Sequence, residues 1–529
     1  MTGVLAMLEQ APEGVTLTFL RADRSTSVTT YAELRDEVAR IAGGLQQEGV
    51  QQGHRVALLF DNPERLVPFL LAVLWSGATP QVLAPPGFTR PETYAGSTQR
   101  LLQQARVQHV VTDEHLSAQT DLGTTRVVLA EHCEAPWIAP VPRTPLADSD
   151  LAIIQATSGT TGVPRILEVR VDQLRACEVA SAQAYGLGEH SVGVSWLPMH
   201  HDMGLIGMVF VALSIGGPVT YLAPQTFLHD PTLWLDALHD SRATISATPS
   251  FGSGYLLRRL RETTPRDWDL SALTTLVVGA EPVHAPLQRE LVRELSRFGL
   301  REDAIVPSYG CAEATLTMTV SPSRSLLVDV VDPDALAEGW AVPAAHGREV
   351  VACGRAVPGS TVRIVDAHGQ QLPDRRVGQV EFRSPAVIGR YADDEQATEE
   401  VFPDGALRPG DLGYLVDGEL FLTGRVKDLL ILNGRNHDPQ TVEWVVDRVE
   451  GVRRGCVAAF TVPGPDTELL VIAVEVKGDV TEEAISRAVT DELRLPVHDV
   501  LLLEPGALPK TTSGKVQRAA ARLLYAAED

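Results

Sequence analysis

From about residue 54 to residue 310, short apolar runs alternate with helical patterns along the chain. Val56-Ala57-Leu58-Leu59-Phe60 predicts a strand, and residues 67–75 predict the helix that follows it. The theme recurs at His109-Val110-Val111, Ala152-Ile153-Ile154, residues 192–196, Ile245-Ser246-Ala247 and Leu276-Val277-Val278. Strands apolar on both faces and separated by amphipathic helices predict parallel sheets covered on both sides. Residues 203–224 carry no charge at all, a length that could span a membrane. Gly216-Gly217-Pro218 divides that stretch, so it predicts a short buried helix followed by a buried strand at Val219–Leu222.

After residue 355 the texture changes. Residues 361–365, 378–383 and 418–422 predict strands joined by Gly, Pro and Asp turns, a β-rich subdomain of about residues 355–424. Beyond Gly424-Arg425 a helix is expected at 441–450, strands at 456–462 and 469–476, and a helix at 482–493. The expected organisation is therefore an α/β core over residues 1–424 and a small α+β domain over residues 425–529. No internal repeat or low-complexity tract interrupts it.

Composition narrows the function classes. The chain has 529 residues with 45 Lys+Arg against 68 Asp+Glu, a formal charge of −23. Residues 425–529 hold 13 basic and 17 acidic side chains, so the acidity is shared and no basic domain exists to attract a polyanion. A nucleic-acid coat is excluded, whereas binding of a single nucleotide is not. A hydrophobic content of 44% with 21% charged residues is globular rather than disordered. The five cysteines are scattered without a CxxC pair, which argues against a disulfide framework or zinc knuckle and favours a reduced cytoplasmic setting. Residues 1–14 lack a basic segment and contain Glu9 and Glu13, unlike a signal peptide.

Candidate chemistry starts at Thr157-Ser158-Gly159-Thr160-Thr161-Gly162-Val163-Pro164-Arg165, directly after an apolar run. Glycine and small hydroxyl residues let backbone N–H and side-chain O–H groups converge on phosphate oxygens, although such a loop alone is also an ordinary turn. It is not a Walker A loop, because no Gly-Lys-Ser/Thr follows. Gly252-Ser253-Gly254 fails as a dinucleotide fingerprint, since Leu257 stands where the third glycine belongs.

The loop has companions in Gly279-Ala280-Glu281-Pro282, Tyr309-Gly310-Cys311-Ala312-Glu313-Ala314-Thr315, Gly410-Asp411-Leu412-Gly413, Gly424-Arg425-Val426-Lys427-Asp428 and Pro509-Lys510-Thr511-Thr512-Ser513-Gly514-Lys515. With them the sequence resembles the adenylate-forming superfamily of acyl-CoA synthetases, luciferases and peptide-synthetase adenylation domains. The motifs stand in that family's order from about residue 30 to the end. Trp196-Leu197-Pro198-Met199-His200-His201-Asp202-Met203-Gly204-Leu205-Ile206-Gly207, Gly434 to Gln440 and the Ala-Glu-Ala-Thr at 312–315 are most similar to fatty acyl-AMP ligases. Those ligases carry an extra segment, for which residues 316–353 leave room. His200-His201-Asp202 has no further clustered ligand, so its physical reading is a polar helix start.

The resemblance implies a role for each matching residue. Thr157, Ser158, Gly159, Thr160, Thr161, Gly162 and Arg165 would form the phosphate loop for ATP. Gly279, Ala280, Glu281 and Pro282 would line the nucleotide site with Ser308, Tyr309, Gly310, Cys311 and Ala312. Asp411 would accept hydrogen bonds from the ribose hydroxyls, supported by Arg425. Glu313 would reach Mg2+, a hard cation suited to carboxylate and phosphate oxygens. Lys515 would enter from the C-terminal domain for adenylate formation, and Lys427 would be the hinge. His201, Asp202, Met203, Phe251 and Gly252 would line the acyl pocket.

Departures matter as well. Arg165 replaces the usual terminal lysine of the phosphate loop, exchanging a point ammonium for a planar fork. Pro409-Gly410-Asp411 replaces Thr-Gly-Asp, and Pro249-Ser250-Phe251-Gly252-Ser253-Gly254-Tyr255 departs from Asn-Phe-Ala-Tyr, which leaves the acid open. The expected function is activation of a carboxylic, most simply fatty, acid to acyl-AMP, then transfer to the phosphopantetheine thiol of an acyl carrier protein. Only a short helix is expected after Lys515, so the carrier is expected in trans. The alternatives are an acyl-CoA synthetase and, in another class, a non-catalytic acyl or nucleotide binder.

Overall fold

The computed structural model describes residues 3–87, 91–157, 165–262, 266–322, 326–432, 435–464, 468–511 and 515–528. Two sheets organise the larger part. In the six-stranded sheet the order is Arg126–Leu129, His109–Thr112, Arg55–Leu59, Thr79–Val82, Leu151–Thr157, Arg165–Arg170. The nine-stranded sheet contains a parallel run of Ile305–Gly310, Thr275–Val278, Ile245–Thr248, Gly193–Ser195, Val219–Leu222 and Thr16–Leu20. The fold is thus α/β with parallel interiors. The expectation of parallel sheets needs one refinement, because antiparallel strands flank the parallel runs: Arg165–Arg170 on one sheet, Thr26–Thr30 and Thr317–Val320 on the other. An antiparallel partner needs no crossover helix.

The helix Pro63–Trp75 is the clearest consequence of sequence. Asn62 accepts from the backbone N–H of Arg65 at 3.0 Å, and Pro63 occupies the first turn, where a missing N–H costs nothing. This start places the helix four residues earlier than the apolar pattern alone predicts. Its residues from Leu66 to Trp75 are all buried, because it belongs to the core shared with both large sheets. The uncharged stretch splits as expected into a helical segment and the strand Val219–Leu222. Met203–Val211, however, winds as a π-helix, a form that periodicity cannot distinguish. Gly204 permits its start: a Cβ there would lie 2.3 Å from the Pro198 carbonyl oxygen.

Beyond residue 355, Thr361–Val365, Gly378–Arg383, Asp411–Val416 and Glu419–Arg425 form a four-stranded antiparallel sheet. The hairpin Val328–Val331 with Arg348–Val351 lies within the long stretch after Thr315. Near the C-terminus a three-stranded sheet of Val452–Pro463, Glu468–Val476 and Val497–Leu503 packs against Pro439–Val446, Glu482–Leu493 and Arg518–Glu528. The helix expected at 441–450 is shifted toward its cap, Asp438, whose side chain accepts from Gln440. Among the described residues, no helix is long and apolar enough to cross a membrane.

Candidate active site

Two turns at the ends of parallel strands are forced into shape by close backbone approach. A Cβ on Gly279 would stand 2.7 Å from the Ser308 carbonyl oxygen, and one on Gly310 would stand 1.9 Å from that of Leu316. Beside these glycines, Ala280 (φ 66°) and Thr315 (φ 64°) occupy the left-handed region that L-residues avoid. Such strain persists where surrounding contacts over-determine it. For Thr315 the hydroxyl donates to the Ala386 carbonyl at 2.7 Å. Gly279 to Pro282 and Ser308 to Ala312 are thereby brought to one side of the nine-stranded sheet.

Asp411 opens its strand opposite Arg425, and both of its carboxylate oxygens are engaged. Arg425 Nε donates to Oδ1 at 2.6 Å, and the Tyr309 hydroxyl donates to Oδ2 at 2.5 Å. Burial, then the negative charge of Asp411, pushes the Tyr309 phenol far above its ordinary range. The Asp411 carboxylate in turn holds Arg425 more firmly protonated. The three residues stand in separate sequence motifs, and the fold joins them.

Glu313 lies in a single 3-10 turn, Ala312–Ala314. Its Oε1 accepts from the Tyr391 hydroxyl at 2.7 Å, and its carbonyl accepts from Ile388 N–H at 3.0 Å. Tyr391 and its neighbour Asp394 were missed in the sequence. Asp394 was findable as the cap of Glu395–Val401, where it accepts from Ala397 N–H at 2.9 Å, but its partner Arg165 lies 229 positions away. Of the phosphate-loop candidates, Thr157 and Arg165 pair across their strands, whereas Ser158, Gly159, Thr160, Thr161 and Gly162 lie outside the described residues.

Two of the acyl-pocket candidates, Phe251 and Gly252, lie against a stacked aromatic pair. Trp196 and Phe227 lie 3.7 Å apart between ring centroids, and Phe251 meets the indole edge-on at 5.9 Å. Gly252 is required beneath them, because a Cβ would stand 2.7 Å from the Trp196 ring. His201 and Asp202 are in contact at 2.6 Å, and Asp202 accepts from Met203 N–H at 2.7 Å, the polar helix start expected. Burial opposes ionisation of Asp202, but His201, and further Lys515, outweigh it and hold the carboxyl below its ordinary range. Glu281 accepts from Phe251 N–H at 2.5 Å, tying the nucleotide-side turn to the helix Ser250–Glu262. Burial raises its carboxyl, with Lys515 and Lys510 pulling the other way.

The positive charge of Lys515 thus favours the ionised forms of Asp202 and Glu281. Thr511 N–H donates to the Lys515 carbonyl at 2.8 Å, and Lys515 N–H to Thr511 Oγ1 at 3.1 Å. Lys510 donates to the Gly455 carbonyl at 2.8 Å. The Thr512, Ser513 and Gly514 of that motif lie outside the described residues. The C-terminal segment meets the larger part through a buried ion pair between Arg348 and Asp438 and through ring contact of His284 with Trp444 at 4.6 Å. Lys427 sits exposed in the single turn Val426–Asp428.

Comparison with known proteins identifies the family and the fold. The AMP-binding enzyme family matches residues 8–392. The medium-chain-fatty-acid–[acyl-carrier-protein] ligase JamA of Moorena producens is 30% identical, with 95% of this chain and 90% of JamA covered. The long-chain-fatty-acid–AMP ligase FadD26 of Mycobacterium marinum is 30% identical, covering 97% of this chain and 94% of its own length. A solved structure from studies of fatty acyl-adenylate ligases of E. coli and L. pneumophila superposes with a TM-score of 0.92 at 27% identity, covering 99% of this chain and 98% of that one.

Proposed function

Because this chain belongs to the AMP-binding enzyme family, we propose that it activates a carboxylic acid, most simply a fatty acid, with ATP. The products are acyl-AMP and pyrophosphate, and the acyl group then passes to the phosphopantetheine thiol of an acyl carrier protein. The observation that carries the first step is the hydrogen-bonded cluster of Tyr309, Asp411 and Arg425, with Glu313 held by Tyr391 in the turn that follows the Tyr309 strand. JamA, an acid–carrier-protein ligase, supports the acceptor.

In this reading the substrate carboxylate attacks the α-phosphorus in line and pyrophosphate leaves. Negative charge grows on phosphoryl oxygens during that step, and pre-placed cations lower its energy most where water is excluded. Lys515 supplies one cation from the C-terminal side. Asp411 would hold the ribose, its orientation fixed by Tyr309 and Arg425. Glu313 suits Mg2+ as an oxygen donor with one carboxylate oxygen already steadied by Tyr391. No group of three or more His, Cys, Asp and Glu forms a complete cage among the described residues, so phosphate oxygens would complete the coordination. Bound there, the ion would neutralise phosphate charge.

We further propose residues 1–424 and 425–529 as the two functional units, with Lys427 as the hinge between adenylation and transfer. Intact-mass spectrometry of reactions containing ATP, a panel of acids and either holo-carrier protein or CoA tests the proposal. Acylated carrier supports it. Efficient CoA thioester with untouched carrier would establish an acyl-CoA synthetase instead.

A further inference from the structure

The segment after the residue 384 turn touches both large sheets at the site. Arg165, the first residue of its strand, directs Nε to Asp394 Oδ2 at 3.2 Å, and its guanidinium lies 5.0 Å from the centroid of the Tyr391 ring. A planar guanidinium can stack on an aromatic face while bonding a carboxylate in its own plane; a lysine ammonium provides only a point charge. Tyr391 is buried, and its hydroxyl donates to Glu313 Oε1 at 2.7 Å. The Ala392 N–H donates to the Ile166 carbonyl at 3.1 Å, and Ile388 N–H to that of Glu313, so the backbone runs the same bridge in parallel. Asp394 uses its other oxygen to cap the following helix.

We infer that Arg165 is a positioning residue for Glu313, acting through the ring and hydroxyl of Tyr391 and anchored by Asp394. The clamp couples the strand that follows the phosphate-loop segment to the carboxylate proposed to reach the metal-bound nucleotide, and it gives the Lys-to-Arg departure a physical reason. It rests on the proposed nucleotide site. Without the hydroxyl, Oε1 loses its donor and the carboxylate is free to rotate out of register with a bound cation.

The test is calorimetric binding of ATP at a series of Mg2+ concentrations, with no acid present and hence no turnover, alongside thermal unfolding. Tyr391→Phe keeps the ring and removes only the hydroxyl. It should raise the half-saturating Mg2+ concentration about tenfold without shifting the unfolding midpoint, the size expected for one charge-assisted hydrogen bond. Arg165→Lys should move the same quantity in the same direction, yet add less than about twofold in the Tyr391→Phe background, since both act on one element. Should Tyr391→Phe unfold the protein, Asp394→Asn replaces it: asparagine keeps the helix cap but turns an N–H group toward Arg165, and about a threefold rise is expected. Unchanged Mg2+ dependence in these variants, or additive effects of Arg165→Lys and Tyr391→Phe, would overturn the clamp alone. A wild-type protein that binds no ATP at any Mg2+ concentration would overturn both the clamp and the nucleotide site beneath it.

Discussion

The hydroxyl of Tyr309 donates to the carboxylate of Asp411 across 2.5 Å, although 102 positions separate the two residues in sequence. The bond ties the nine-stranded sheet to the four-stranded sheet and sets the carboxylate against Arg425. Tyr309→Phe should therefore weaken ATP binding by about tenfold, the loss of one hydrogen bond to a charged acceptor. Equilibrium nucleotide titration checks this, and unaltered affinity would detach Tyr309 from the ribose end.

The backbone of Lys515 is held by two hydrogen bonds with Thr511. Its side chain is exposed and supports no core, so Lys515→Ala should leave thermal unfolding unchanged while adenylate formation falls by about a hundredfold or more. Single-turnover release of pyrophosphate reads the step directly. Wild-type rates in the variant would remove Lys515 from the chemistry.

A proline at 427 restricts the turn Val426–Asp428, where the hinge is proposed. Lys427→Pro should retain pyrophosphate release and lose most acyl transfer to the carrier, measured in separate half-reactions. Loss of the first half-reaction with the second intact would refute the hinge.

Much of this arrangement was legible in the sequence. The apolar runs at residues 245–247 and 276–278 lie inside strands of the nine-stranded sheet, and Glu482–Leu493 forms the helix that its pattern predicts. The motifs, read by family resemblance, also name Tyr309, Asp411 and Arg425, which the fold joins by hydrogen bonds. Long-range pairs were not legible, because nothing local distinguishes Tyr391 or Asp394 from a tyrosine and a cap in any loop. The π-helical turn at Met203–Val211 was hidden for another reason: its glycine answers to the Pro198 carbonyl, a contact made only in the folded chain.

Glu178 adds a pH-dependent stability term outside the site. Burial raises its carboxyl from 4.5 to about 8, so the folded protein keeps a proton that the unfolded chain releases near 4.5. Its contribution is greatest below about pH 4.5 and declines as pH rises toward about 8. Glu178→Gln mimics the protonated form. Its unfolding midpoint should match wild type near pH 4.5 and rise above it progressively up to pH 8. A constant difference across that range would assign the effect to packing.

If a carboxylic acid attacks ATP at this site, ATP–pyrophosphate exchange across a panel of acids of varied length and polarity will reveal it. Exchange should depend on the acid, be strongest for one chemical class, and disappear in Lys515→Ala. ATP binding without exchange for any acid in the panel would contradict that attack and identify the protein as a binder.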